Sequence, residues 1–171
     1  MAEFKEVAIQ DFTCNPFTSI GKDWMLISAA KKDGSANTMT AAWGGLGWLW
    51  ERPVAYLFVR QSRFTKEFID ETGKVSLSFL GKGFRKEFGY LGTISGRQED
   101  KIAHSGLTLS FDEEIPFFEE SETVIFGHII SEQIVTEDTF LDETIAQNHY
   151  TDHNLHSVYV LQIDKILRQE M

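Results

Sequence analysis

Directly after an apolar run from Val54 to Val59, the chain sets Arg60, Ser62, Arg63 and Thr65 together in the segment R-Q-S-R-F-T. Forked guanidinium donors and hydroxyls at the mouth of a helix are what a phosphate monoester takes. They offer N–H groups, a cation and the positive end of the helix dipole. The plainer alternative is a helix capped by Ser62 with two arginines in solvent. A second group of the same kind, Ser95, Gly96 and Arg97 with Lys101, follows further along. Two such groups could grip one phosphate from two sides, although Asp100 beside Lys101 also suits an ordinary charged surface. Upstream, Asn37-Thr38-Met39-Thr40 leads through two alanines to Trp43 and Gly44. Small and hydroxylated residues let a flat ring lie close to the backbone and take hydrogen bonds along its edge, as a flavin requires. A common barrel strand whose threonines reflect β-propensity has the same composition. A planar, phosphorylated cofactor would fit both ends of the stretch from Ser35 to Thr65.

One further cluster has chemistry-bearing residues, His149-Tyr150-Thr151-Asp152-His153-Asn154-Leu155-His156. On a helix His149 and His153 would share a face, with Asp152 and His156 completing a metal set. Asn154 and the surrounding polarity favour a loop instead, and no H-E-x-x-H arrangement is present, so no metal is expected. Other chemistries lack their signatures. Gly44-Gly45-Leu46-Gly47 has the wrong spacing for a dinucleotide fingerprint, and Gly81-Lys82-Gly83 is not a P-loop. No G-x-S-x-G elbow occurs, and one cysteine cannot build a zinc finger. Whatever reaction occurs is carried by something bound.

The elements that must position these residues are mostly strands. Trp24–Ala30 is expected to be a strand ended by a Lys31-Lys32-Asp33-Gly34 turn, and Thr38–Trp50 a glycine-weakened one followed by a turn at Arg52-Pro53. Val54–Val59 is a strand, and Ser62–Glu71 a short helix stopped by Gly73. Val75–Phe79 alternates as a half-buried strand. Phe84–Leu91 is helical and closed by Gly92, and Ser95 caps a second helix through Ala103. Strands follow at Leu107–Phe111, Val124–Val135 and Ser157–Leu167, with a polar segment from Thr136 to His156 between the last two. Met1–Ile20 is a polar lead-in. Without regularly interposed long helices the sheet cannot be parallel, so the fold expected is a mostly antiparallel β-barrel with short helical inserts.

The totals suit one domain over residues 1–171, with 42% hydrophobic and 25% charged residues. No apolar run approaches the roughly 20 residues of a membrane span, and the N-terminus does not resemble a signal peptide. The lone Cys14 cannot form an internal disulfide, which makes the cytoplasm the expected compartment. A net charge of −10 argues against nucleic acid. The charge is uneven, however. From Arg60 to Lys101 nine basic and six acidic residues give +3, which leaves −13 for the rest. A locally basic middle in an acidic chain suits one small anion, although it also matches a chance distribution over a solvated surface.

Taken in order, N-T-M-T-A-A-W-G at 37–44, R-P-V at 52–54, V-R-Q-S-R-F-T-K-E-F-I at 59–69 and G-Y-L-G-T-I-S-G-R-Q-E-D-K-I at 89–102 resemble the flavin reductase-like family. These are FMN-binding split-barrel proteins that include flavoredoxins. F-L-D-E-T-I at 140–145 and H-S-V-Y-V-L-Q-I-D-K-I-L at 156–167 are similar to the tail of its anaerobe-type members. The resemblance implies a split-barrel homodimer holding FMN non-covalently. Asn37, Thr38, Met39 and Thr40 would line the ring with Trp43 nearby. Arg60, Ser62, Arg63 and Thr65 would hold the phosphate, and Ser95, Gly96, Arg97 and Lys101 would close over the ribityl-phosphate side. His156 matches a tail histidine and would approach the flavin, from its own or the partner subunit, as the catalytic candidate. Two departures stand out. Tyr159-Val160-Leu161-Gln162-Ile163 replaces a frequent Tyr-Ile-Gly-Glu-Ile, and Phe126-Gly127-His128 stands where relatives often have a cysteine before a basic residue. The function implied is an FMN-dependent oxidoreductase. Electrons would come from NAD(P)H as co-substrate or from a protein, and pass to a flavin, metal complex or protein. The alternatives are a flavoredoxin-like FMN electron carrier without nicotinamide turnover, or a related barrel that binds haem or pyridoxal phosphate.

Overall fold

A computed structural model describes residues 3–170, so the first two residues of the expected lead-in lie outside it. In chain order the elements are β1 (Phe4–Val7), α1 (Pro16–Ser19), β2 (Met25–Ala30), β3 (Ala36–Ala41), β4 (Gly44–Leu49), β5 (Arg52–Arg60), α2 (Phe64–Thr72) and β6 (Lys74–Phe79). They continue with α3 (Arg85–Thr93), α4 (Lys101–His104), β7 (Leu109–Asp112), β8 (Ile115–Phe118), β9 (Thr123–Ile134), α5 (Glu143–His149) and β10 (His156–Gln169). Every strand pairing is antiparallel, as the sequence led one to expect. No helix among the described residues is long and apolar enough to cross a membrane.

The main sheet runs β3-β2-β6-β9-β10-β5-β4, with β1 also paired to β10. Its two end strands, β3 and β4, are consecutive in the chain and joined only through Ala42 and Trp43. Laid flat, seven strands about 4.8 Å apart would separate those ends by roughly 29 Å. A link of three Cα steps reaches at most about 11 Å. The sheet must therefore curl until its ends approach, and it forms a barrel with an unpaired seam between β3 and β4. Alternate residues fill the interior, among them Met25, Ile27, Met39, Leu57, Val59, Leu77, Ile125 and Tyr159. Phe68 and Ile69 of α2 join this cluster.

Burial on the second face explains one difference from expectation. β6 is buried along Val75–Ser78 rather than half-buried, because its outer face is covered. Ser76 donates to the Pro116 carbonyl of β8, a strand whose Pro116 and short length concealed it in the sequence. Leu26 of β2, likewise, turns outward under Phe88 and Leu91 of α3. Other boundaries move as well. The stretch Thr38–Trp50 is two strands, because the chain crosses the seam at Ala42–Trp43. Gly44 passes so close to β5 that a Cβ there would lie 2.7 Å from the Tyr56 carbonyl oxygen. The β4–β5 turn falls on Trp50 and Glu51, both left-handed, while Pro53 already pairs with Trp48. Gly92 sits inside α3. The residues after Ser95 form a turn, and Asp100 caps the short α4 through the Ala103 N–H. The polar segment before β10 contains α5, and part of the lead-in pairs as β1.

Candidate functional site

Two adjoining cavities open where the ends of β3 and β5 meet the start of α2. The larger, of about 320 Å³, is lined by Asn37, Arg60, Ser62, Arg63, Thr65 and Lys101, with Phe64 and the segment Thr93–Gly96. The smaller, of about 190 Å³, is lined by Met39–Trp43, Phe58 and His156. Met39, Arg60 and Arg63 line both, so the two form one elongated site.

The fold explains why the larger cavity is cationic. Helix α2 begins at Phe64 with no side chain capping its first turn, leaving the positive end of its dipole toward the cavity. The Ser62 hydroxyl, expected as a cap, instead accepts from Asn154 Nδ2 at 2.6 Å. Arg63 Nη1 donates to the Gly92 carbonyl at 2.9 Å, and Lys101 Nζ donates to the Leu91 carbonyl at 2.8 Å. Both acceptors belong to the last turn of α3, the negative end of that helix. Neither cation has a carboxylate within 4.0 Å among the described residues. Lys101 is only 3% exposed. Burial, followed by the nearby Arg63, pushes its pKa down to about 8. Burial and then Arg60 lower that of Arg63 as well. Charges buried without a counter-ion are costly, and an anion seated between them would offset that cost.

Gly96 lets the wall of this cavity close. A Cβ there would overlap Asn37 Oδ1 and come within 2.9 Å of Phe64 Cδ1. Asn37 is held by donating from Nδ2 to Thr65 Oγ1 at 2.8 Å. Arg97 lies outside both cavities. It donates to the Ser62 carbonyl at 3.1 Å, pairs with Glu67 and covers the Phe64 ring, so it backs the wall. Ser95 lines the cavity and accepts from the Arg97 N–H at 3.2 Å.

The smaller cavity has an apolar floor and a strand edge. β3 ends the sheet path, so one of its sides has no strand partner. Thr38 turns its hydroxyl inward to Ser28 and the Ile27 carbonyl, whereas Thr40 lines the cavity and donates to the Phe88 carbonyl. Trp43 stands at the mouth, 43% exposed, with the His156 ring 5.3 Å away. His156 is buried, and its pKa is pushed down to about 4 by burial and then by Arg60 and Arg63.

The histidine-bearing segment folds over this site. Arg60 donates to the Asn154 carbonyl at 2.7 Å and the His149 carbonyl at 2.9 Å, and Asp152 lies 3.6 Å away. Two of its donors are thus committed to holding that segment. The histidines do not converge. His149 meets the Trp43 edge, His153 pairs with Glu137 and His156 bonds Tyr150. No group of three potential metal ligands occurs among the described residues. The sequence did not name Phe58, Phe64, Thr93, Ile94, Tyr150 or Asn154 as site residues, although all but Phe58 lie within the motifs and clusters it marked. Phe58 shares the strand face of Arg60, two residues on, so period-2 alternation contained that signal. Nothing in the spacing linked Asn154 to Ser62.

The family model for the flavin reductase like domain matches residues 17–168. No curated relative matches. Among solved structures, flavoredoxin of Desulfovibrio vulgaris (Miyazaki F) is similar at 22% identity and TM-score 0.67, over 86% of this chain and 69% of that one. Flavoredoxin from Methanosarcina acetivorans is similar at 23% identity and TM-score 0.65, over the same shares of 86% and 69%. An FMN-binding domain of a flavin reductase-like enzyme from Shewanella baltica reaches TM-score 0.71 at 13% identity, over 98% and 78%. At these identities the likeness establishes the fold, a split barrel whose seam is the gap between β3 and β4.

Proposed function

Because the chain belongs to the flavin reductase like domain family, we propose that it holds FMN non-covalently, with the phosphate in the larger cavity and the ring in the smaller. It works as an oxidoreductase, taking electrons from NAD(P)H or a protein donor and passing them to a flavin, a metal complex or a protein. The observation that carries this reading is the pair of buried Lys101 and half-buried Arg63 beside an uncapped helix start, with no carboxylate among the described residues to neutralise them. That donor set fits a phosphate, whose charge would replace the missing counter-ion.

Bound there, FMN would supply the hydride and single-electron chemistry. The chain's own residues do the rest. Arg63 and Lys101 fix the anionic end, while Arg60 holds the 149–154 segment over the site. Trp43 and Phe58 exclude water from the smaller cavity, and N–H groups on the free side of β3 offer fixed donors to a ring edge. Trp48 is 70% and Trp50 59% exposed on the β4–β5 hairpin. A second copy covering them would complete a homodimer. The lone, exposed Cys14 suits a cytoplasmic setting.

Titration of flavin-free protein tests the assignment. FMN should bind far more tightly than riboflavin, which lacks only the phosphate. Equal affinity for the two would remove the phosphate site, and binding of neither would remove the flavin. Anaerobic mixing with NADH and NADPH then separates an enzyme, whose flavin band bleaches, from a carrier. The carrier reading draws on the likeness to two flavoredoxins.

A further inference from the structure

His156 opens β10 opposite Arg60 of β5, with Nδ1 2.7 Å from the Tyr150 hydroxyl. Tyr150 is itself buried. Phe140 stacks on its ring at 5.3 Å and 12°, and the Arg60 guanidinium lies 5.3 Å from the ring centre. The hydroxyl is therefore held in one direction, with His156 as its hydrogen-bond partner. If the imidazole proton were on Nδ1, the phenol proton would have no acceptor among the described residues. With the phenol donating, the Tyr150 hydroxyl and His156 Nδ1 satisfy one another. The imidazole proton then belongs on Nε2.

We propose that Tyr150 is a positioning residue, which holds His156 as the Nε2–H tautomer so that it presents a fixed, uncharged N–H donor to the smaller cavity. Resting on the FMN reading, the group it serves is a carbonyl oxygen on the edge of the bound ring. A neutral donor of this kind polarises a carbonyl without adding a further positive charge to a site that already holds Arg60, Arg63 and Lys101. The surroundings keep it neutral. Arg60 on β5 and Arg63 before α2 face it, His149 lies beyond Trp43, and Asp152 is 3.6 Å from Arg60. No carboxylate pairs with His156 among the described residues. Only the Tyr150 bond chooses between the two neutral tautomers.

Proton–nitrogen correlation spectra of the flavin-free protein, labelled at histidine, read this directly. Wild type should show His156 as a single Nε2–H form that stays unprotonated from pH 8 to pH 5. Tyr150→Phe, which keeps the ring stacked on Phe140, should show a mixture of both tautomers. A wild-type ring bearing its proton on Nδ1, or a tautomer unmoved by Tyr150→Phe, would overturn the proposal. In the FMN-loaded protein the flavin absorption band should move in both His156→Phe and Tyr150→Phe, while affinity for inorganic phosphate stays the same. A band unmoved in both would refute the ring carbonyl as acceptor. Failure of FMN to bind at all would instead strike the functional reading, leaving the tautomer result standing.

Discussion

Replacing Lys101 with methionine should move folding stability and ligand affinity in opposite directions. The side chain is 3% exposed, so solvent does little to screen its charge. Its pKa of about 8 in the fold, against 10.5 ordinarily, corresponds to roughly 3 kcal/mol against the charged form. Methionine removes that penalty and fills nearly the same space, but gives up the bond to the Leu91 carbonyl, worth about 1 kcal/mol. The flavin-free variant should therefore gain about 2 kcal/mol at pH 7. The pH dependence follows from the same sign. A lysine with a depressed pKa penalises the fold fully below about pH 8. Wild-type stability should rise as pH increases from about 8 toward 10.5, the window between the folded and ordinary values. Lys101→Met should lose that rise. Its affinity for FMN should fall by roughly 1.5–3 kcal/mol, about 10- to 100-fold, with riboflavin binding unchanged. Denaturant unfolding across pH, beside fluorescence titration with both flavins, measures each quantity. A variant that is less stable without flavin yet binds FMN normally would refute the view of Lys101 as a buried charge waiting for an anion.

Two further outcomes follow from the same geometry. Gly96→Ala places a methyl group against Asn37 and Phe64. It should cost about 1–3 kcal/mol of stability and weaken FMN more than riboflavin, and an unchanged melting temperature with normal FMN affinity would contradict the close-packed wall. Trp48→Ser with Trp50→Ser alters side chains that are mostly exposed in the single chain, so the fold should persist while light scattering shows dissociation. A dimer that survives both changes would place the interface elsewhere.

Continuous apolar runs gave the sequence most of its legible structure. Met25–Ala30, Val54–Val59 and the long strand at Thr123–Ile134 are apolar enough that local pattern and tertiary burial agree. Where the two diverge, the pattern misled. The tripeptide Ala42-Trp43-Gly44 looks continuous with its neighbours, yet the chain leaves one end of the sheet there and joins the other. The length of a two-residue link set against the width of seven strands explains that crossing, and no local propensity encodes it. Ser95 carries a capping residue's signature, but its hydroxyl serves only a turn, and the following helix takes Asp100 as its cap. The arginine–hydroxyl cluster was visible because its members lie within a few residues of one another. The assembly of Asn154 on Ser62 was not, since it depends on how the 149–156 segment lies across the barrel, and that of Tyr150 on His156 depends on how the same segment turns back on itself.

That segment also shows why Arg60 and Arg63, so close in the chain, have come to different work. Arg60 ends β5 and its donors reach across to the His149 and Asn154 carbonyls, with Asp152 as partial counter-ion. Its charge is largely answered within the chain, and losing it would release the cover over the site. Arg63 begins the turn into α2, where among the described residues its guanidinium bonds only the Gly92 carbonyl, so on the proposed reading its charge is left for a ligand. A barrel with an open seam has two strand ends and a helix start converging at one rim. At that rim one arginine holds the cover, and on the proposed reading the other, with Lys101, would attract the anion. The neutral His156 stands between the two tasks, its pKa depressed by burial and then by the same guanidinium groups. An anion that neutralised Arg63 would relax part of that depression, so occupancy of the larger cavity and the protonation of the smaller one are linked through charge alone.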